Sequence, residues 1–369
     1  MHSLLAEDHC RAYMFWKELG VRGATCVHVD AHLDVGDAGL TPARLAGLAR
    51  ARSEAEMEPF LGSTYVPGRG LNCGNYLTPA LLEGIVEHLV CVLPPWIELS
   101  LEGARRELQL WVDLTLTEYR SLKWAEGRVE GVLRGRRLTL CRATSLPVCS
   151  HPLLLDIDLD YLIDEQREVW QQPQELLSEL GELQPDVLTV ASSVHGGYTP
   201  QEACWMGPAL LRCFGIEHPG LDVPESPLDR GSALFRLGWA DQALRALELE
   251  DSPESRYLQG MICYREGNYA RALELLKQPF MRGAALYRAG RFAEAVQELH
   301  QAVKREPTPD ALHLLGLAWA GAGRPDMAAQ WLQAALRQAP DRLSTQVLRH
   351  DLGLETEVEV EGLRRRVPP

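Results

Sequence analysis

Two patterns of apolar and polar positions divide the chain, and the change falls near residue 222. Before it, short apolar runs rich in branched residues alternate with longer amphipathic stretches. ATCVHVD (24–30), LVCVL (89–93), LQLWV (108–112), LTLCRA (138–143), LLLDIDLDYL (153–162) and DVLTVAS (186–192) predict strands. DHCRAYMFWKEL (8–19), TPALLEGIVEHL (78–89), QQPQELLSELGEL (171–183) and TPQEACWMGPALLRCF (199–214) predict helices. Two of these open on Thr-Pro, where the Thr would cap and the Pro fill the first turn. Strands alternating with helices imply an α/β domain over residues 1–222 around a mostly parallel sheet. EGRVEGVLRGRRLTL (126–140) predicts an antiparallel hairpin inside it.

EHPGLDVPESP (217–227) carries three prolines and no periodicity, and reads as a linker. Beyond it a repeat appears. Gly231, Gly260, Gly283 and Gly316 each stand twelve positions before an alanine, and each alanine stands four before Leu247, Leu276, Leu299 or Leu332. Pro307 and Pro340 close the last two units. The pattern resembles the tetratricopeptide repeat, whose small residues let two antiparallel helices approach closely. About four units over 228–345 imply an all-α solenoid whose concave face holds peptide, with a purely structural cap as the bland alternative. The glycines are unevenly spaced, so the first units have short helices. The charged tail, 346–369, either frays or pairs as an edge strand.

One stretch combines pattern with chemistry. VHVDAHLDV (27–35) alternates strictly, with His28, Asp30, His32 and Asp34 at one parity and apolar residues at the other. On a strand, same-face neighbours are roughly 6.6 Å apart, too far for one ion but suited to two ions sharing a carboxylate. LLLDIDLDYL ends by presenting Asp156, Asp158 and Asp160 on one face. Such carboxylates repel one another unless a cation lies among them. Both acidic runs belong at the carboxyl ends of strands, where open parallel sheets bind ligands. The structural alternative is a buried hydrogen-bond network. His28 reads as a hydrogen-bonded strand histidine and Asp160 as a supporting or capping residue.

VDAHLD resembles the D-A-H-x-D motif of the arginase–agmatinase (ureohydrolase) superfamily, and LDIDLDYL is similar to its D-x-D strand. EDHC (7–10) resembles its early histidine element, without the family's glycines. DHCRAYMFW, CGNYLTPAL and GGYTPQEA look closest to the branch that includes peptide arginases. The resemblance covers roughly residues 5–215 and implies a three-layer α/β fold binding two Mn²⁺ ions. Asp30 and Asp156 would bridge them, His9 and Asp34 would complete one site, and His32 and Asp158 the other, with Asp8 orienting His9. A water activated by the metals and assisted by Asp34 would attack the guanidinium carbon of an arginine residue in a ribosomally made peptide, giving ornithine and urea.

Two family features are missing. The strand expected to supply a guanidinium-binding glutamate, PDVLTVASSVHGGYTP, has no acid between Asp186 and Gly197. Thr189, Ser192, Ser193, His195 or Glu202 would have to serve. LNCGNYLTP (71–79) lacks the family's proton-shuttle histidine, so Asn72, Asn75 or Tyr76 would line the pocket and His195 becomes the candidate for proton transfer.

Composition adds limits. A formal net charge of −14 argues against nucleic acid or an anionic membrane as partner and suits cations. The nine cysteines form no C-x-x-C pair, which fits a reducing, cytoplasmic setting. The N-terminus has no signal-peptide pattern, and no apolar run approaches the roughly 18 residues of a membrane span. The rival readings are another C–N hydrolase on the same fold, such as a single-zinc deacetylase, and a catalytically silent metal-binding scaffold whose repeats bind peptide.

Overall fold

The computed structural model describes residues 1–66 and 70–344. Eight strands form one sheet: β1 (His2–Ala6), β2 (Ala24–Val29), β3 (Val86–Val92), β4 (Lys123–Ala125), β5 (Arg128–Leu133), β6 (Arg136–Cys141), β7 (Leu153–Asp158) and β8 (Val187–Ala191). Their order is β1-β8-β7-β2-β3-β6-β5-β4. Pairs from β1 through β6 are parallel, and β6-β5-β4 is an antiparallel edge, as the hairpin pattern predicts. β2, β7 and β8 are buried along their whole length, because side chains of both parities meet covering elements. On one face Val27, Val29, Leu155, Ile157, Leu188 and Val190 pack with the helices Pro173–Leu180 and Met206–Cys213. The other face carries Cys26, His28, Asp156 and Thr189, with Tyr76 and Trp16 among the fully buried side chains near it.

The strand order matters for function. β2 continues outward to β3 on one side, while β7 and β8 return on the other, so chain direction diverges between β2 and β7. The carboxyl ends there leave a crevice, the usual ligand position in such sheets.

Several expected elements differ. LQLWV is the end of a helix, Leu101–Trp111, capped by Ser100; Leu108 is buried while Leu110 and Trp111 face solvent. Its alternation mimicked a strand, but a helix also buries one residue of this run and exposes the next two. TPALLEGIVEHL is not one helix. The helix Leu77–Leu82 stops before Gly84, which is left-handed at φ +69°, and β3 begins at Val86. Thr78 lies inside that helix rather than capping it, and its hydroxyl donates to the carbonyls of Val35 and Gly36. Thr199 likewise caps nothing; a short 3-10 turn, Gln201–Ala203, follows it.

Residues 227–338 are helical: Pro227–Arg236 and Ala240–Leu247 are followed by the packed pairs Pro253–Arg265 with Tyr269–Leu275, Pro279–Arg288 with Phe292–Arg305, and Pro309–Gly321 with Pro325–Gln338. The repeated glycines have a packing reason. A Cβ on Gly260, Gly283 or Gly316 would come within 2.8, 2.5 and 2.6 Å of Leu276, Leu299 and Leu332 respectively, the leucines of the same pattern. Two compact units result, one of residues 1–113 and 117–246, the other of 114–116 and the chain from Leu247 onward. The division thus lies later than the proline-rich 217–227, because the helix Pro227–Arg236 packs within the first unit. Residues 346–369, expected as a charged tail, lie outside the described residues. No helix among the described residues is long and apolar enough to cross a membrane.

Candidate metal centre

β2 ends at Val29, so the alternation in VHVDAHLDV does not continue as a strand. This departure is what makes a site. Residues two apart on a strand stay roughly 7 Å apart, whereas the turn after Val29 folds Asp30, His32 and Asp34 toward one another. Asp30 accepts from the His32 amide at 2.6 Å, and Asp34 adopts φ +51°. Gly36 allows the same loop to lie against Gly74; a Cβ there would stand 2.8 Å from the Gly74 carbonyl. The Leu77 amide and the Thr78 hydroxyl then tie the helix start to Asp34, Val35 and Gly36.

His9 enters from the turn after β1 and is buried at the centre of the cluster. Its Nδ1 lies 3.2 Å from Asp30, 3.4 Å from Asp34 and 3.1 Å from Asp158, and its Nε2 lies 3.2 Å from Asp156. His32 Nδ1 is 3.3 Å from Asp30 and 2.8 Å from Asp160. Two groups of three ligand-type atoms therefore share Asp30: His9–Asp30–Asp158 and Asp30–His32–Asp160. A third, His28–Asp30–Asp34, overlaps them, and a fourth joins His9, His28 and Asp156. His28, read from sequence as a supporting histidine, joins the cluster through Asp156 at 3.1 Å and Asp30 at 3.4 Å. Its parity with Asp30 was the available signal.

The structure separates the three aspartates of LDIDLD. Asp158 and Asp160 line a cleft of about 70 Å³ with Asp30, His32 and Asp34. Asp156 does not line it. Its oxygens accept from Tyr76 at 2.5 Å and from Thr189, and one faces His28, so it is committed to side chains behind the cleft. Of the pair inferred from the resemblance, Asp158 lines the cleft, with Asp160 beside it, while Asp156 joins His9 and His28 in a separate group of ligand-type atoms.

The other expected residues fall out as follows. Ser193, at φ +48°, donates to Asp158 Oδ2 at 2.5 Å and lines the cleft. Asn75 is not a cleft residue: its amide donates to the carbonyls of Ala38 and Gly70 and its oxygen accepts from Asn72, which staples the loop. Glu202 is exposed on the 3-10 turn and is not among the cleft residues. His195 is half-exposed and faces Asp229 at 3.5 Å, away from the lining of the cleft. Asp8 accepts from the Cys10 amide and so shapes the turn that carries His9.

Charge explains what the cluster needs. Five buried carboxylates (Asp30, Asp34, Asp156, Asp158 and Asp160) face three imidazoles, so the carboxylates cannot all ionise without further cationic charge, and otherwise a carboxyl among them is raised. Burial opposes the charge on His9, yet Asp156, Asp158 and Asp30 outweigh it and hold the imidazole well above its ordinary range. Asp30 and Asp156 resist burial through the neighbouring imidazoles and lie well below the usual carboxylate range. Burial and Asp30 push Asp34 up to about 7, and burial with Asp158 and Asp30 pushes Asp160 up to about 8. His9 Nδ1, His28 Nε2 and Asp30 Oδ2 nevertheless lack a hydrogen-bond partner, and Asp160 Oδ2 has only its ion pair with His32. Orphaned buried lone pairs that converge at 3.1 to 3.4 Å match the edge of a coordination shell of roughly 2.1 Å radius. The donor set of carboxylate and imidazole fits a divalent cation of the harder, oxygen- and nitrogen-accepting kind.

An α/β sheet domain with a buried His/Asp cluster is followed by helical hairpins, and comparison with known families accounts for the second part. Residues 228–278 and 280–342 match the tetratricopeptide repeat, so the C-terminal region consists of such repeats, a class that commonly binds protein segments. Among solved structures, MamA 41-end from Desulfovibrio magneticus RS-1 aligns at 24% identity over 34% of this chain and 84% of its own, with a TM-score of 0.30. A crystal structure of MamA protein aligns at 19% identity over 36% of this chain and 77% of its own, with a TM-score of 0.28. No curated protein matches the chain.

Proposed function

We propose that the α/β domain is a two-metal hydrolase of C–N bonds, acting on arginine side chains in a peptide to give ornithine and urea. The observation that carries it is the pair of ligand groups, His9–Asp30–Asp158 and Asp30–His32–Asp160, sharing Asp30 at the carboxyl ends of β2 and β7. His9 and Asp34 would hold one Mn²⁺, His32 and Asp160 the other, with Asp30 and Asp158 between them. Bound there, the two ions supply an activated water and a Lewis acid for the reacting carbon.

The chain's own residues do the rest. Asp156, with Tyr76 and Thr189, fixes the ring of His9 so that Nδ1 faces Asp30, Asp34 and Asp158. Ser193 fixes Asp158. Burial and Asp30 raise the Asp34 carboxyl in the metal-free chain, and a bound cation would hold it as a carboxylate that accepts a hydrogen bond from the activated water. To Glu7, one residue past β1 and beside rather than within the cleft lining, falls the role that no acid after β8 fills. It accepts from the His195 amide at 2.7 Å, and burial pushes its carboxyl up; a guanidinium beside it would draw it back to the charged form.

The test is metal analysis together with product assay on an arginine-containing peptide. Two manganese ions per chain and urea release support the proposal. One zinc with acetate release would assign a deacetylase instead. A second reading, a silent metal-binding scaffold, draws on the repeats, and bound metal without turnover of any arginine peptide would favour it.

A further inference from the structure

The helix Pro227–Arg236 lies at the start of the residues that match the repeat family, yet it belongs to the compact unit that holds the cluster. Its first turn carries Asp229, which is fully buried. One carboxylate oxygen accepts from the Ser226 amide at 2.8 Å and the Ser226 hydroxyl at 2.7 Å, an ordinary capping box. The other accepts from the Gly196 amide at 2.9 Å and from the Tyr65 hydroxyl. Gly197, at φ +71°, leaves no room for a Cβ beside the Asp229 carbonyl. The segment after β8 is therefore fastened at its middle to this helix.

Both ends of that segment reach the cleft. Ser193 donates to Asp158, and Tyr198 sets its ring edge-on to His32 with centroids 5.1 Å apart. Arg236, in the last turn of the same helix, lies over the Tyr198 ring at 3.9 Å. A residue needed only as a cap would spend both oxygens on its own helix; Asp229 spends one on the segment that props up Asp158 and His32.

We infer that Asp229 is a positioning residue for the metal centre, acting through Gly196 on Ser193 and Tyr198, so that the first repeat-family helix is a working part of the α/β site. The inference rests on the metal reading above, and its test separates the two. In the full-length chain, Asp229→Ala should weaken Mn²⁺ binding by about tenfold or more, the range for groups that hold ligands in place. Asp229→Asn keeps an acceptor for Gly196 and Tyr65 and should recover most of that loss. Ser226→Ala removes the helix cap and the hydroxyl on the helix-side oxygen of Asp229, but leaves the Gly196 and Tyr65 contacts, and should keep the Mn²⁺ Kd within about twofold. Amide exchange across residues 193–199, measured without metal, should quicken in Asp229→Ala and not in Ser226→Ala. If Asp229→Ala does not fold, Tyr65→Phe removes one of the two loop-side donors and should weaken Mn²⁺ binding by about threefold. Equal effects of Asp229→Ala and Ser226→Ala on Kd and on exchange would overturn the inference. A wild-type chain that binds no Mn²⁺ would sink the metal reading, and the exchange comparison would still decide whether Asp229 fastens the segment.

Discussion

His9 turns its two ring nitrogens to different carboxylates: Nε2 lies 3.2 Å from Asp156, and Nδ1 lies 3.1 Å from Asp158. Asp156 therefore orients the ring from behind, while Asp158 shares the cleft with Asp160. Asp160→Asn should lower bound manganese from two ions toward one. Asp156→Asn should keep two ions at saturating metal but weaken their binding by about 10- to 100-fold. Metal titration with elemental analysis decides, and the reverse pattern would restore Asp156 as the ligand.

Glu7 sits at the end of β1 beside the segment that follows β8, with a carboxyl already raised by burial. Glu7→Gln should raise KM for an arginine peptide by about tenfold or more, with kcat and metal content nearly unchanged, as expected for loss of a charged hydrogen bond to substrate. A fall in kcat with unchanged KM would place Glu7 elsewhere in the mechanism.

Asn75 makes three hydrogen bonds to backbone in the loop that abuts Gly36. Asn75→Ala should cost about 1–3 kcal/mol of stability by leaving buried carbonyls unpaired. Denaturant unfolding reads the loss. An unchanged midpoint with a raised KM would return Asn75 to the substrate.

His88, buried in β3, faces Thr139 at 2.9 Å, and burial together with Arg137 lowers it to about 4. Its folded-state value is below the unfolded one, so the unfolded chain binds more protons between pH 6.5 and about 4. Stability from this group is full above that window and is lost as pH falls through it, by up to about 3 kcal/mol. Relative to wild type, His88→Gln should therefore gain stability as pH drops from 7 to 4.5. A pH-independent difference between the two would show that His88 does not titrate as described.

Much of the architecture was legible in local pattern. Apolar runs located β2, β3, β6, β7 and β8, since a buried parallel strand must be apolar at both parities. The Gly–Leu spacing located the repeat hairpins, since only a glycine admits the facing leucine. LQLWV misled because five residues are too few to separate a helix end from a strand. Glu7, proposed above for the substrate, carries no signal in the sequence because it follows β1, which only the sheet order sets beside β8.

By itself, then, the sequence determined which residue types could bind a cation, that they cluster in two acidic runs, and that helical repeats follow. Tertiary structure decided which of them meet. Asp30, His32 and Asp34 converge because the chain leaves the strand at Val29, and strand spacing alone would have kept them apart. Tyr76, His28 and Thr189, distant in sequence, claim the lone pairs of Asp156, while Asp160 faces His32 across the cleft, a division that strand parity alone does not show.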